Sequence, residues 1–521
     1  MSATTASLGA SPGADVPATP VENKGLLTVA VMLATVMQIL DTTIANVALP
    51  HMQTALGATA DTITWVLTSY IVASAIAIPI TGWLSDRFGS RNLFLFAVGG
   101  FVVASMLCGI ATSLEEMVAF RVMQGIAAAF INPLSQTVMM DINPPSKQAR
   151  AMTIWGQGIM VGPILGPVLG GWLTDNFDWR WCFYVNVPFG IVTFAVMWVL
   201  LPSKPLRPRR FDLVGFSLLA LALSAFQIML DRGQQLDWFD SWEVRIEAGL
   251  ALAAAWMFGV HLFTAKHPMF DRAVLNNRNM ATGLFFMVVI GVVMFATMAL
   301  LPPMLQRIWD YPVVDAGMLL APRGVGVLIT MTVAGKLMGK VDPRWLVGTG
   351  LAIAALSLWQ MTTWSLGMDR TWIIISGTVQ GLGMGLVFMP LNLTAFATLD
   401  PKYRTEGASL LNLFRSIGAS AGISVVTTFL ARNLQTSHAD LAGYLTPFSL
   451  PAVDPSYAQT LGAAGDTILA MADAEVNRQA LMIAYLDDFK LMMFVTILAV
   501  PLVILLRRPS RRPDMQHMVM E

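Results

Sequence analysis

Charge is scarce in this chain. Only 12% of its 521 residues are Asp, Glu, Lys or Arg, and the formal net charge is zero. Such a balance indicates no basic face for nucleic acid. Cysteine is scarcer still, because Cys108 and Cys182 are the only two and lie far apart inside apolar runs. The sequence therefore predicts neither a disulfide framework nor a cysteine metal site.

The usual marks of catalysis are also missing. The five histidines show no spacing typical of metal ligands, and neither a phosphate-binding Gly-Lys loop nor a Gly-x-Ser-x-Gly motif occurs. ATP-driven and hydrolytic mechanisms lack their sequence signatures. We predict a protein that is not an enzyme and that has no metal and no organic cofactor.

Apolar residues are abundant: they make up 55% of the chain, and the mean hydropathy is +0.64. A bilayer core of about 30 Å needs about 20 apolar residues per helix. Runs of this kind predict fourteen transmembrane helices, at 25–49, 62–84, 92–112, 116–140, 151–173, 182–202, 212–231, 245–265, 281–303, 314–338, 344–365, 371–396, 406–431 and 488–506.

The distribution of Lys and Arg predicts the orientation of these spans, since basic residues concentrate in cytoplasmic loops. With the N-terminus inside, the inner loops receive most of the basic residues: Lys24, Arg87, Arg91, Lys147, Arg150, Lys204, Arg207, Arg209, Arg210, Lys266, Arg272, Arg278, Lys336, Lys340, Arg344, Lys402, Arg404, Arg507, Arg508, Arg511 and Arg512. We therefore expect both termini to be cytoplasmic.

Three segments do not span. Residues 1–24 are expected to form a disordered cytoplasmic tail, and 508–521 a second cytoplasmic tail. Residues 432–487 are too polar to cross a membrane, so we predict a long periplasmic loop with helical patches around 460–485.

The chain contains a degraded internal repeat. GWLSDRFGSR at 82 is echoed by GKLMGKVDPR at 335, and QGIAAAFINPL at 124 by QGLGMGLVFMPL at 380. The two copies of each motif lie 253 and 256 residues apart. This spacing predicts an N-terminal six-helix half at 25–202, two inserted linker helices at 203–270, and a C-terminal six-helix half at 271–507. Such an architecture is typical of secondary transporters, with the binding site where the halves meet.

Several motifs resemble those of the major facilitator superfamily. GWLSDRFGSR looks like its loop 2–3 signature, RVMQGIAAA at 121 like its fourth-span motif, and GIMVGPILGPVLGG at 158 like the Gly-Pro motif of its antiporters. LDTTIANVALP at 40 and WRWCFYVNVPFG at 179 are similar to drug:proton antiporters of the EmrB/QacA type. The fourteen spans and the long last outer loop favour the EmrB-like branch.

The resemblance implies an all-α polytopic membrane protein with the major facilitator fold. It implies proton-coupled multidrug efflux by alternating access in the bacterial inner membrane, with hydrophobic, aromatic or cationic substrates. It also implies a periplasmic adaptor of the EmrA kind and an outer-membrane channel of the TolC kind as partners.

The loop 2–3 stretch permits two interpretations. Glycines and arginines there suit a tight cytoplasmic turn that sets topology. In the family the same cluster latches the inner ends of the halves together in the outward-open state. The latch candidates are Gly82, Asp86, Arg87, Gly89 and Arg91.

The Gly-Pro helix has glycines at every fourth position, so one face of the helix carries no side chains and is called its bare face. Ordinary small-residue packing explains such a pattern. The resemblance adds close, kinked packing against the other half, as a rocking interface requires. The residues concerned are Gly158, Gly162, Pro163, Gly166, Pro167 and Gly170.

Charged residues inside spans are expensive and by default functional. Asp41 in the first span is the candidate carrier of the coupling proton, and Arg121 in the fourth span is the second candidate for proton coupling. The guanidinium near Asp41 is expected to come from Arg121 or from Arg323. We expect proton and drug to compete at Asp41. Arg323 and Arg415 belong either to structural ion pairs or to the substrate cavity. Further polar candidates for that cavity are Gln38, Asn46, Gln124, Asn132, Gln157, Gln380, Asn392 and Asn412.

Other functions remain open at this point. Export of an endogenous metabolite or siderophore would use the same cycle. A membrane-embedded enzyme or receptor would need a catalytic constellation or a sensory domain, and neither is visible in the sequence. A channel is disfavoured, because the repeat, the Gly-Pro motif and the latch all serve alternation between two states.

Overall fold

Long helices account for almost all of the fold. The computed structural model describes residues 15–59, 62–207, 210–338, 340–444 and 463–506. Within these ranges thirteen helices are long and apolar enough to cross a membrane, and the 19-residue helix Pro343–Met361, which is not among these thirteen, packs in the C-terminal half as a fourteenth long helix. In chain order they are α1 Lys24–Ala55, α2 Trp65–Phe88, α3 Ser90–Ile110, α4 Leu114–Asp141, α5 Pro145–Asn176, α6 Trp181–Leu200, α7 Leu213–Arg232, α8 Trp242–Thr264, α9 Arg278–Ile308, α10 Val314–Leu337, α11 Pro343–Met361, α12 Arg370–Ala397, α13 Pro401–Tyr444 and α14 Ala464–Leu505.

Several of these helices are capped at their N-terminus by a short polar side chain. Ser113 accepts a hydrogen bond from the main-chain N–H of Glu116 at the start of α4. Asp212, Ser241 and Asp342 do the same for α7, α8 and α11. A capped first turn satisfies N–H groups that have no partner inside the helix, so the boundaries follow from local sequence.

The two six-helix halves repeat the same packing. In the N-terminal half α1 packs on α5 and α6, α2 packs on α4, and α3 packs on α4 and α6. In the C-terminal half α9 packs on α13 and α14, α10 on α12, and α11 on α12 and α14. Each pairing of one half has its counterpart in the other, so the repeat seen in the sequence is a repeat of structure.

The halves meet where α5 packs on α10 and α12, and where α2 and α4 pack on α13. The end of the molecule that carries residues 82–91 and 141–147 is called the basic end. The opposite end, where α13 and α14 project, is called the hairpin end.

The glycine face of α5 lies against α1 of its own half. A Cβ at Gly162 would stand 2.6 Å from Ile39 Cγ2, and one at Gly166 would stand 2.0 Å from Thr43 Oγ1. The sequence predicts packing against the other half here. The difference arises because the opposite side of α5, not its bare face, contacts α10.

The inserted helices form a pair, and one of them enters the interface between the halves. Helix α7 contacts both α2 and α13. Ser424 Oγ donates a hydrogen bond of 2.8 Å to the main-chain oxygen of Leu230, and Trp238 Nε1 donates one of 3.0 Å to Thr428 Oγ1. This segment is therefore part of the wall between the halves as well as a linker.

Helix continues into the predicted periplasmic loop from both sides. Helix α13 runs to Tyr444 and α14 starts at Ala464, so 432–444 and the described residues after 462 are helical. His438 Nε2 lies 3.0 Å from Asp473 Oδ1, which joins the two arms into a hairpin. Residues 445–462 lie outside the described ranges.

Part of the predicted N-terminal tail has defined contacts. Asp15 Oδ1 accepts a hydrogen bond of 3.0 Å from Ser146 N, and Thr19 N donates one of 3.0 Å to Asp141 O. Residues 1–14 and the predicted tail 508–521 lie outside the described ranges.

Candidate functional site

A buried ion pair joins α1 and α4. Arg121 Nη1 donates a hydrogen bond of 2.8 Å to Asp41 Oδ2, and the two side chains are 0% and 1% exposed. Asp41 Oδ1 accepts two more hydrogen bonds, of 2.9 Å from Gln124 Nε2 and 2.8 Å from Asn186 Nδ2. Ser105 Oγ accepts from both amides. The carboxylate therefore has a donor on every side, contributed by α4 and α6.

Arg121 is held by three further contacts. Its Nε donates a hydrogen bond of 3.0 Å to the main-chain oxygen of Val66, and its Nη1 one of 2.6 Å to Gln124 Oε1. Its guanidinium stands 4.2 Å from the centre of the Tyr70 ring. A desolvated guanidinium over an aromatic face is favourable.

Tyr70 separates this network from a large cavity. Its ring covers Arg121 on one side, and its other side lines the cavity. Gln38 Nε2 donates a hydrogen bond of 3.3 Å to Tyr70 Oη, and Asn132 Nδ2 donates one of 2.8 Å to Gln38 Oε1. Sequence reasoning missed Tyr70, because a tyrosine in an apolar span is typical of core. The one available signal is that tyrosine is rare here, because the chain contains only seven.

The cavity of about 960 Å³ lies between the two halves. It is lined by α1, α2, α4 and α5 from one half and by α9, α10, α12 and α13 from the other, with three residues of α7 completing the wall. Its lining extends to Pro50, Gln306 and Ile423 near the hairpin end. The space is therefore a central chamber that reaches toward one end of the molecule.

The charged lining is of one sign. Arg307, Arg323 and Arg415 line the cavity, whereas no Asp, Glu or Lys occurs among its described lining residues. Arg323 Nη2 donates a hydrogen bond of 3.2 Å to Met294 O, and Arg415 Nη2 one of 2.9 Å to Asn412 Oδ1. Across the described residues neither of these two guanidiniums forms an ion pair. The structural ion pair considered for both is thus not what the structure contains.

Polar contacts close the cavity toward the basic end. Gln136 Nε2 on α4 donates a hydrogen bond of 2.9 Å to Asn392 Oδ1 on α12. Asn412 Nδ2 on α13 donates one of 3.3 Å to Gln136 Oε1. Beneath them the rings of Trp155 and Phe388 stack at 6.3 Å. We call these five residues the closing cluster.

An ion pair reinforces the closing cluster at the basic end. Arg404 Nη1 of α13 donates a hydrogen bond of 2.8 Å to Asp141 Oδ1 of α4, and Lys204 contacts the other oxygen of Asp141. Asp141 is 4% exposed. The sequence does not single out Asp141, because an acid at the end of a span is unremarkable by itself.

Of the predicted latch residues, Gly82, Asp86 and Arg87 lie at the end of α2, Gly89 forms the turn, and Arg91 lies in the first turn of α3. Gly89 has φ 88°, a conformation that only glycine adopts readily. Arg91 Nη2 donates a hydrogen bond of 2.5 Å to Trp198 O, within its own half. The main-chain oxygen of Asp86 accepts a hydrogen bond of 3.0 Å from Arg207 N. Residues 78–88, which include Gly82 and Arg87, pack against α13 of the other half.

The predicted cavity residues divide into two groups. Six line the cavity: Gln38, Asn46, Asn132, Arg323, Asn412 and Arg415. The other four lie outside its lining and are engaged between helices. Gln124 contacts Asp41, Gln157 contacts Thr332, Gln380 contacts Thr297, and Asn392 contacts Gln136.

Asp41 itself is not a lining residue. Its neighbours Gln38 and Thr42, on the adjacent face of α1, are. Positions four apart share a helix face, so 38, 42 and 46 face the cavity while 41 and 45 face the interior of the half. A proton at Asp41 and a molecule in the cavity would thus act on adjacent faces of the same helix rather than share one contact.

The chain has two repeated six-helix halves around a central chamber that is closed at one end. This architecture defines the class of secondary transporters, in one of the conformations between which they alternate. Comparison with known proteins gives the family. The chain belongs to the major facilitator superfamily, whose family description matches residues 31–423.

Relatives of similar length reinforce this assignment. The chain is 37% identical to Multidrug export protein EmrB of Escherichia coli (strain K12) over 440 residues, which cover 84% of this chain and 86% of the relative. It is 34% identical to Fatty acid resistance protein FarB of Neisseria gonorrhoeae over 491 residues, which cover 93% and 96%.

Solved structures share the fold at low identity. The human organic anion transporter MFSD10 matches with a TM-score of 0.59 and 14% identity, covering 91% of this chain and 100% of that one. The proton:xylose symporter XylE matches with a TM-score of 0.58 and 11% identity, covering 92% and 96%. These matches show that the chain has the fold of these structures.

Proposed function

We propose that this protein is a proton-coupled multidrug exporter of the bacterial inner membrane that works by alternating access. The observation that carries the proposal is the pairing of a large, mostly apolar cavity between the halves with a buried Asp41–Arg121 pair one helix face away. The multidrug export relatives, aligned over most of both chains, support it.

The basic end faces the cytoplasm in this proposal, with both termini on that side. Basic loops favour the cytoplasmic side. The cavity then reaches toward the periplasm while the closing cluster and the Asp141–Arg404 pair seal the cytoplasmic side, so the structure is the outward-open state. Turning inward requires the contacts between α4, α12 and α13 to break.

Asp41 carries the coupling proton, and Arg121 senses its arrival. Protonation removes the negative charge that holds Arg121, so the buried guanidinium loses its counter-ion in a low-dielectric site. Arg121 stacks on Tyr70, and Tyr70 contacts Gln38 in the cavity wall. A change of charge at Asp41 therefore affects the substrate site through the ring of Tyr70, which contacts both Arg121 and Gln38.

The hairpin formed by the ends of α13 and α14 is the docking site for a periplasmic adaptor of the EmrA kind, which leads to a channel of the TolC kind. Residues 432–444 and 463–487 exceed what joining two spans requires, and long connections of this kind usually bind a partner.

Transport in proteoliposomes tests the exporter function. The purified chain is reconstituted, an imposed pH gradient is applied, and a neutral hydrophobic dye is followed. We expect uphill dye movement that nigericin abolishes by collapsing the gradient. Movement that is the same with and without the gradient refutes proton coupling. If a panel of toxic compounds yields no substrate but an endogenous metabolite does, the alternative exporter function is correct.

A matched pair of measurements tests the docking role. Residues 441–466 are replaced by a short Gly-Ser linker, which keeps His438 and Asp473 in place. We expect the deletion strain complemented with this variant to lose drug resistance while transport in proteoliposomes stays normal. Resistance that survives at equal expression shows that the tip of the hairpin is not the docking site.

A further inference from the structure

One wall of the cavity comes from neither six-helix half. On one flank of the cavity α5 packs directly on α10, whereas on the other flank the inserted helix α7 lies between α2 and α13 and contacts both. Leu223, Phe226 and Gln227 of α7 line the cavity. These positions are three and four residues apart, so they share one face of the helix. Helix α7 therefore contributes a face of its own to the cavity.

Contacts on both sides hold this part of α7 in place. Ser424 of α13 donates a hydrogen bond of 2.8 Å to the main-chain oxygen of Leu230. The carboxyl group of Asp231 contacts the hydroxyl group of Thr68 on α2. A side chain selects a ligand precisely only when the element that carries it is itself fixed. Gln227 lies one turn before these two anchors and meets that condition.

The side chain of Gln227 has hydrogen-bonding groups that the protein does not use. It is half-buried and forms no hydrogen bond within the described residues. Gln38 and Asn132, by contrast, bond to each other. Asn46 and Gln306 also line the cavity without a side-chain hydrogen bond in the described chain, but each belongs to one of the halves. An amide offers two N–H donors and one carbonyl acceptor, so Gln227 is able to bind a polar group in the cavity.

A hydroxyl group lines the cavity beside Gln227. Helices α7 and α13 both run from the basic end to the hairpin end, and the bond between Ser424 and Leu230 fixes their register. Gln227 lies three residues before Leu230, and Ser420 lies four residues before Ser424, which places both about 5–6 Å nearer the basic end. Ser420 lines the cavity, and its hydroxyl group forms no hydrogen bond with a described residue. We call Gln227 and Ser420 the seam pair.

We propose that the seam pair determines specificity by binding an uncharged hydrogen-bonding group of the transported molecule, such as a carboxamide. The inference rests on the proposed exporter function and adds the residues that select among neutral substrates. The Gln227 amide donates to the carbonyl oxygen of the substrate, and Ser420 Oγ accepts from its N–H group. The neighbouring ring of Phe226 supplies apolar surface for the rest of the molecule.

Such a site discriminates strongly between similar molecules. An analogue without the polar group leaves the amide and the hydroxyl of the seam pair unpaired in a space from which it has displaced water. The large apolar lining of the cavity accepts many shapes, because apolar contact is not directional. The seam pair therefore adds a directional contact to a cavity that is otherwise permissive.

The seam pair is separate from the proton site. Asp41 and Arg121 belong to α1 and α4, and α7 contacts α2 through Thr68. Thr68 and Tyr70 are two residues apart on a helix, so their side chains point to nearly opposite sides. Residues of α7 can therefore change substrate choice while the residues that carry the proton stay the same.

Two matched probes test the proposal. The probes are 4-(pyren-1-yl)butanamide and 1-butylpyrene, which share the ring and the chain length but differ in the hydrogen-bonding group. Binding to the full chain in phosphatidylcholine nanodiscs is measured by energy transfer from tryptophan to pyrene, and empty nanodiscs correct for partition into lipid. Gln227→Met and Ser420→Ala should each weaken amide binding about threefold to tenfold and leave butylpyrene binding within about twofold.

Control variants separate a direct contact from a general effect on α7. Ser224→Ala removes a hydroxyl that bonds to Ala220 O outside the cavity lining, and Gln234→Met changes an amide in the turn after α7. Both controls should leave both affinities unchanged. The double variant of the seam pair should weaken amide binding by less than the product of the two single effects, because both residues hold the same group.

Unchanged amide binding in either seam-pair variant overturns the proposal, and so does an equal loss of both probes, which would indicate a structural role. Transport of the same probes in proteoliposomes under an imposed pH gradient separates this inference from the exporter function. Gradient-driven movement of both probes that the seam-pair variants reduce equally would refute this inference alone. Selective binding by the wild type without gradient-driven movement of either probe would refute the exporter function instead.

Discussion

Replacing Asp41 with Asn should damage both the stability and the coupling of the transporter. The carboxylate accepts hydrogen bonds from Arg121, Gln124 and Asn186, all of which are donors. An Asn side chain brings its own NH₂ group to this site. At least one contact would then place two hydrogen-bond donors together, unless the side-chain amide of Gln124 or Asn186 flips.

The larger loss comes from Arg121, which stays buried without a counter-ion. Removing one partner of a buried ion pair costs about 3–5 kcal/mol. Removing both charges, in Asp41→Asn combined with Arg121→Gln, should leave the stability within about 2 kcal/mol of the wild type, since a neutral replacement avoids the uncompensated charge. The double variant should therefore be more stable than the single one.

Thermal unfolding in detergent and transport in proteoliposomes measure the two effects. We expect the apparent melting temperature to fall in the order wild type, double variant, Asp41→Asn. Both variants should lose export driven by a pH gradient, because neither can titrate at position 41. Asp41→Glu keeps a carboxyl but adds a methylene at a buried site, which costs about 1–3 kcal/mol, so partial transport is expected.

Two outcomes would refute this reasoning. A double variant less stable than Asp41→Asn would show that the pair is not a compensated ion pair. Near-normal gradient-driven export by the double variant would show that another group carries the proton.

Three further predictions follow from the packing. Gly381→Val should abolish transport, because its Cβ would stand 2.0 Å from the main chain of α10, whereas Gly249→Val, with nothing within 4 Å, should be neutral in the same uptake assay. Asp488→Leu should raise the apparent melting temperature, since both carboxyl oxygens are buried without a partner in the described chain and such groups cost about 1–3 kcal/mol; a destabilised variant would contradict this. Arg404→Gln removes the ion pair with Asp141 and should shift the population toward the state open at the basic end, seen as longer spin-label distances between α4 and α13; unchanged distances would show that the closing cluster suffices.

The sequence predicts the helices and the repeat well, because the bilayer imposes one length and one apolar composition on every span. It also selects Asp41 and Arg121, since a charge inside a span needs a reason. Which helix face a polar residue occupies is harder to predict. Gln124 and Gln380 were expected in the cavity, yet both are engaged between helices, because polarity alone does not distinguish a lining residue from a partner of a buried group.

Contacts between distant segments could not be predicted either. The glycines of α5 indicate close packing but not its partner, which is α1. Tyr70 gains its role only from the position of Arg121 above its ring. Gln227 becomes a candidate binding residue only because α7 lies between α2 and α13, a contact that no pattern in that helix indicates.

The unbroken helix Arg404–Tyr444 turns the hairpin into a lever. Its 41 residues correspond to about 60 Å, roughly twice the hydrocarbon thickness, so about half of it stands clear of the membrane. Because α13 and α14 both belong to the C-terminal half, a rocking of that half by about ten degrees would swing a tip at about 30 Å through about 5 Å. A protein bound at the tip would be displaced at every transport cycle. This displacement, rather than contact with the transported molecule, would then set when the bound protein opens.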